Sequence, residues 1–303
     1  MQRQYNIFAS LAKLSNLPDF VRYDNVAMPL SELQAPPPLS RLASRLPTFS
    51  PIALRLLGIV CDENVSFKEV SKLIQLDAAL SGEVLRLANS GYYGRRATIR
   101  SILHAIGLLG IKRITTLVIT AALWGGLPRR TAPFMMGWWR HSIASALVSE
   151  FVGGSAEAAE GAYTAAILHG LGQLAMYQYA PADYEALVAE VRGNGEDLLD
   201  HERRIFGVDH AGLADWILES WQVPQSIRGA VASHHERGSS LGGVSKIVHS
   251  GCFAAEWAGF GACGWHTCHS MTDIAPDLEN LVNSEYVREM LPQEINGIEC
   301  SLL

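Results

Sequence analysis

Acidic residues are missing from a long internal stretch of this chain. None lies between Glu83 and Glu150, while Arg86, Arg95, Arg96, Arg100, Lys112, Arg113, Arg129, Arg130 and Arg140 all do. The whole chain is nevertheless acidic, with 24 Lys and Arg against 30 Asp and Glu and a formal charge of −6. That balance argues against nucleic-acid binding through a whole-surface field. The acid-free block reads as a local positive face for an acidic partner or phosphate-bearing ligand, or as a solvated helix face. Charged residues are sparse overall, at 18%, and apolar residues reach 49%, which excludes a disordered composition. Cysteine is scarce too. The five (Cys61, Cys252, Cys263, Cys268, Cys300) are odd in number and irregularly spaced. With no apolar leader in the opening residues, they read as reduced thiols of a cytoplasmic protein. The longest apolar run, Ile114 to Leu127, is too short for a bilayer core of about 30 Å. It predicts a buried core helix in a soluble protein with no membrane partner. A Walker loop and a GxGxxG after a strand are both lacking, so the common nucleotide-cradling motifs are excluded.

What is present is helical periodicity. No stretch alternates as a strand would, and Gly, Pro and Asp punctuate segments near 137–152, 157–178, 182–192, 196–206, 210–220, 224–235 and 241–261, with a last helix around 278–291. Ser50 before Pro51 predicts a capped helix start, Ser66 with Glu69 a capping box for a helix ending near Gln75, and Asp77 the cap of a helix through Ala88. Pro36, Pro37 and Pro38 form a stiff spacer closing an N-terminal extension. Apolar faces at Val84, Leu85, Leu87, Ala88 and at Ile102, Leu103, Ile106, Leu109 flank a turn, Asn89 to Gly94, and Gly110 breaks the second face. The fold expected is all-α.

The order Asn89-Ser90, Tyr93-Gly94, basic residues, then Ser101-Ile102, Ala105-Ile106 and Leu109-Gly110 resembles the signature of the HDOD family. These are bacterial signalling domains related to the HD metal-dependent phosphohydrolases. The likeness runs from about Leu39 to Gly261 and includes Trp139 with His141-Ser142, Leu168-His169 with Leu171-Gly172, Glu202 with Phe206-Gly207 and His210, Trp221 with Val223-Pro224, and His234-His235. It implies an HD-superfamily-like helical bundle with an additional N-terminal helical subdomain. The corresponding division is an extension at 1–38, an HDOD domain at 39–262 (helical part 39–130, HD-like core 131–262), and a tail at 263–303 packing on the core.

The resemblance also places His141, His169, His210, His234 and His235 as the histidines of an HD-type pocket. There, imidazoles and carboxylates hold divalent metals that activate water. This chain departs from that pattern: Gly170 follows His169 in place of the aspartate, Gln173 stands where a lysine often follows, and no carboxylate lies within His249 to Cys252. Without the bridging anion, two adjacent cations repel uncompensated. The expectation is therefore no catalytic residue and no cofactor, with a ligand pocket, or a single divalent metal, on those five histidines. Cys263, His266, Cys268 and His269 crowd four donors into one short segment and read as an irregular turn rather than a zinc site.

The family likeness implies a regulatory scaffold meeting a separate signalling protein, such as a diguanylate cyclase, phosphodiesterase or histidine kinase. Arg95, Arg96, Arg100, Lys112 and Arg113 are the candidate partner face. A homodimer stays open. The competing reading is a single-metal phosphohydrolase acting on a nucleotide or cyclic dinucleotide.

Overall fold

The computed structural model describes residues 37–46, 49–59, 66–89, 98–127, 133–154, 161–194, 196–236, 241–261 and 276–302, and among them no strand occurs. The N-terminal part consists of α1 (Leu39–Ala43), α2 (Pro51–Ile59), α3 (Phe67–Gln75), α4 (Ala78–Ala88) and α5 (Ile102–Gly126). Short polar side chains set these helix starts. Ser66 and Glu69 form the reciprocal capping box of α3, and the Asp77 carboxylate accepts from the Leu80 amide to open α4. Ser50 accepts from the Ile52 amide and donates to Asp77 at 2.7 Å, which ties the start of α2 to that of α4. Asn89 then clamps the returning chain: its amide group donates to the Ile99 carbonyl at 2.9 Å and accepts from the Ile99 amide at 2.8 Å. The rest of the signature turn, from Ser90 to Ala97 and including Arg95 and Arg96, lies outside the described residues.

Gly110 (φ 82°, ψ 164°) kinks α5 between its amphipathic first part and its buried second part. The whole of α5 is long and apolar enough to cross a membrane by length and composition, so the apolar run extends further than Ile114 to Leu127. It reaches that length only by joining two segments across the kink, neither of which alone has the roughly 20 residues of a span. Ile114, Leu117, Val118, Ile119 and Ala121 are buried within the helical fold.

Eight further helices follow: α6 (Pro133–Gly153), α7 (Ala162–Leu168), α8 (Leu171–Tyr179), α9 (Pro181–Asn194), α10 (Leu198–Phe206), α11 (His210–Ser220), α12 (Gln225–Ala232) and α13 (Gly243–Ala255), which runs into a π-turn at Glu256–Phe260. The single helix expected over 157–178 is two, because the chain turns at His169-Gly170 between α7 and α8. Helix α6 is the centre of the packing: α13 lies along it in the most extensive helix pair, and α7 packs beside it. Trp138 and Trp139 on α6 are fully buried, and the Trp139 ring packs 5.0 Å from that of Trp124. The single last helix expected near 278–291 is instead α14 (Pro276–Val282), a π-turn at Tyr286–Met290 and α15 (Leu291–Leu302). Helix α15 packs on both α4 and α6, and Arg140 donates to Glu299 at 2.8 and 3.0 Å.

Candidate functional site

The five histidines singled out from the sequence lie far apart in the chain but come together in one buried pocket. His141 projects from α6, His169 from the α7–α8 turn, His210 from the first position of α11, and His234 and His235 from the turn after α12. His141 and His169 approach Nε2 to Nε2 at 3.0 Å, and His210 and His235 do so at 2.8 Å. The His169 and His234 rings lie 4.8 Å apart, joining the two halves.

The other ring nitrogen of four of these histidines is fixed from behind. Nδ1 of His141 meets the Phe260 carbonyl at 3.0 Å, that of His169 the Ala166 carbonyl, and that of His234 the Val231 carbonyl at 2.6 Å. His210 Nδ1 meets the Glu202 carboxylate at 2.7 Å. Carbonyls and carboxylates only accept, so these four nitrogens carry the protons and donate them. Each Nε2 then offers a bare lone pair toward the centre, the orientation that metal-binding histidines adopt. Burial is the main reason the His169, His234 and His235 rings are held well below the ordinary imidazole range, with neighbouring histidines reinforcing it. Burial lowers His141 too, against the opposing charge of Glu256, whose oxygen lies 4.0 Å from its Nδ1.

Glu202 and Cys252 complete the pocket, and the sequence reading named neither as a site residue. Glu202, fully buried on α10, accepts from the Tyr184 hydroxyl, the His210 amide and the His210 ring. Its place in the family-like run ahead of His210 was the available signal. Cys252 on α13 puts Sγ 3.5 Å from His141 Nε2. Burial holds its thiol well above the usual range, with Glu256 adding to the effect. A thiol falls in the segment where a carboxylate was sought and found missing. His249, one turn earlier, instead donates from Nδ1 to the His234 carbonyl at 2.8 Å and steadies that turn. Two donor groups result: His141, His169 and Cys252, and His210, His234 and His235.

Local packing explains the glycine after His169. A Cβ at position 170 would stand 2.5 Å from Trp138 Nε1, and that indole N–H already donates to the Gly170 carbonyl at 2.8 Å. The tryptophan fills the space through which an aspartate side chain would leave the backbone. Gln173 is buried on α8 and supplies no positive charge. The residues therefore fit a cation held by imidazole nitrogens and do not fit the carboxylate-bridged metal pair of an HD hydrolase.

Three of the five basic residues picked from the sequence as a partner face lie among the described residues. Arg100 is exposed at the approach to α5 and Lys112 is exposed just past its kink, while Arg113 is engaged by Glu150 on α6. The Cys263–His269 cluster lies outside the described residues.

A helical bundle with a convergent histidine pocket and glycine after His169 is an HDOD-type arrangement. A family model for the HDOD domain matches residues 46–237, so the chain belongs to the HDOD domain family, relatives of the HD phosphohydrolases. No curated protein matches it. Solved structures with the same fold include an HDOD domain protein of unknown function from Geobacter sulfurreducens, 19% identical, covering 86% of this chain and 94% of its own, with a TM-score of 0.65. A proposed phosphohydrolase from Shewanella amazonensis SB2B is 23% identical over 88% of this chain and 98% of its own, with a TM-score of 0.66. A proposed signal transduction protein from Marinobacter aquaeolei VT8 is 16% identical over 95% of this chain and 63% of its own, at 0.61.

Proposed function

We propose that this chain is a non-catalytic module of bacterial signal transduction, a helical scaffold that passes its signal by binding another protein such as a cyclase, phosphodiesterase or histidine kinase. The observation that carries the reading is the Trp138 indole packed on Gly170. A two-metal phosphohydrolase on this superfamily's pattern uses an anion between the metals to offset their repulsion, whereas here residue 170 has no side chain and the Trp138 indole nitrogen stands 2.5 Å from where its Cβ would be. The exposed cations Arg100 and Lys112, together with Arg95 and Arg96, are the proposed partner face. The alternative, a single-metal phosphohydrolase, draws support from the convergence of the imidazole Nε2 atoms. One experiment separates the two: incubation of the purified chain with manganese or iron and a panel of nucleotides and cyclic dinucleotides. The scaffold reading predicts no turnover above the metal-only control and no change on His169→Ala. Turnover that disappears in His169→Ala contradicts it.

A further inference from the structure

The half of the pocket made by His141, His169 and Cys252 has an incomplete set of protons. The Nδ1 protons of both imidazoles go to carbonyls, so their Nε2 lone pairs face each other at 3.0 Å. The thiol of Cys252, 3.5 Å from His141 Nε2, brings one weak donor to this pair. His234 adds a third lone pair: its Nε2 is buried without a hydrogen-bond partner, on a ring 4.8 Å from that of His169. Three buried acceptors and one weak donor cannot satisfy one another, and buried groups left this way are costly. A cation would satisfy them.

We propose that His141, His169 and Cys252 form a binding site for a single zinc-class divalent cation. The donors are two nitrogens and one sulfur, the set that suits zinc and does not suit magnesium, calcium or manganese, which favour oxygen. Two imidazole nitrogens at tetrahedral angles on zinc stand about 3.3 Å apart, close to the separation found between His141 and His169. Both rings already have the rear hydrogen bonds that fix a metal-binding tautomer. On binding, the S–H bond of Cys252 breaks, sulfur keeps the electron pair as thiolate, and the proton passes to solvent. The thiolate and the nearby Glu256 carboxylate together balance the double charge. The ligands sit on α6, the α7–α8 turn and α13, so the cation would tie three elements and act as a structural or regulatory ligand. This goes beyond the scaffold reading and needs no turnover.

The test uses the full chain, stripped by chelator and reloaded with zinc or cobalt. The expected result is one metal per chain after desalting, a tetrahedral cobalt spectrum with a thiolate-to-cobalt charge-transfer band, and a melting temperature raised by zinc. Cys252→Ser should abolish the band. Changing Cys61, Cys263, Cys268 and Cys300 together to Ser should retain it, so the result does not hang on one variant folding. Loss of affinity in His169→Ala should exceed the roughly 10–100-fold that removal of an outer partner costs. Absence of retained metal, a charge-transfer band that survives Cys252→Ser, or tighter retention of manganese than zinc would each overturn the site.

Discussion

Gly170 packs against the Trp138 indole at the edge of the histidine pocket. The imidazoles still converge and are still held from behind, yet a side chain at position 170 meets the indole. Holding them neutral in a dry pocket has a consequence for stability. His169, His234 and His235 titrate well below the ordinary value of 6.5 when folded, because burial disfavours the imidazolium. The carboxylates facing the cluster, Glu202 at His210 and Glu256 at His141, do not reverse this for these three rings, and Cys252 stays protonated. Above 6.5 the rings are neutral in both folded and unfolded chains, so pH has no effect through them. As pH falls below 6.5 the unfolded chain takes up protons that the folded pocket refuses, and stability declines by up to about 1.4 kcal/mol per unit for each ring. Denaturant midpoints measured in chelator between pH 7.5 and 5.5 should therefore drop steeply. A flat profile would mean that the rings are solvated.

Helix contacts reach the pocket through close backbone approaches. Gly172, at the start of α8, lies so near the His210 carbonyl that a Cβ there would overlap it. The obstacle is backbone at the first residue of α11, which cannot swing away. Gly172→Ala should destabilise the fold by about 1–3 kcal/mol or more and displace His210 from Glu202, read as a lower melting temperature with altered histidine proton resonances. An unchanged melting temperature would show that α8 and α11 do not pack this closely. At this scale much was legible in the sequence. The Ser66–Glu69 box, the Asp77 cap and the break at Gly110 are local chemistry, and each stands where expected. The turn at His169-Gly170 was not visible, since apolar periodicity continues through it and the turn is fixed by Trp138 from another helix. Cys252 escaped for a related reason: its nearest partner, His141, lies 111 residues away, and a lone cysteine on a helix carries no spacing to interpret.

For the molecule as a whole, the basic block and the acid elsewhere partly cancel in space. Arg113 meets Glu150 and Arg140 meets Glu299, so the sequence asymmetry of charge is spent in part on holding α5, α6 and α15 together. Half-exposed pairs of this kind contribute little individually, about 0–1 kcal/mol. The central claim concerns the pocket: it gathers imidazole nitrogens but has glycine at 170, where a carboxylate bridging two metals would have to stand. The most direct measurement is a crystal of the full chain grown with manganese, with the metals located by anomalous scattering. The account predicts no bridged pair of ions beside Gly170. Two well-occupied manganese ions flanking the His169-Gly170 turn would contradict it.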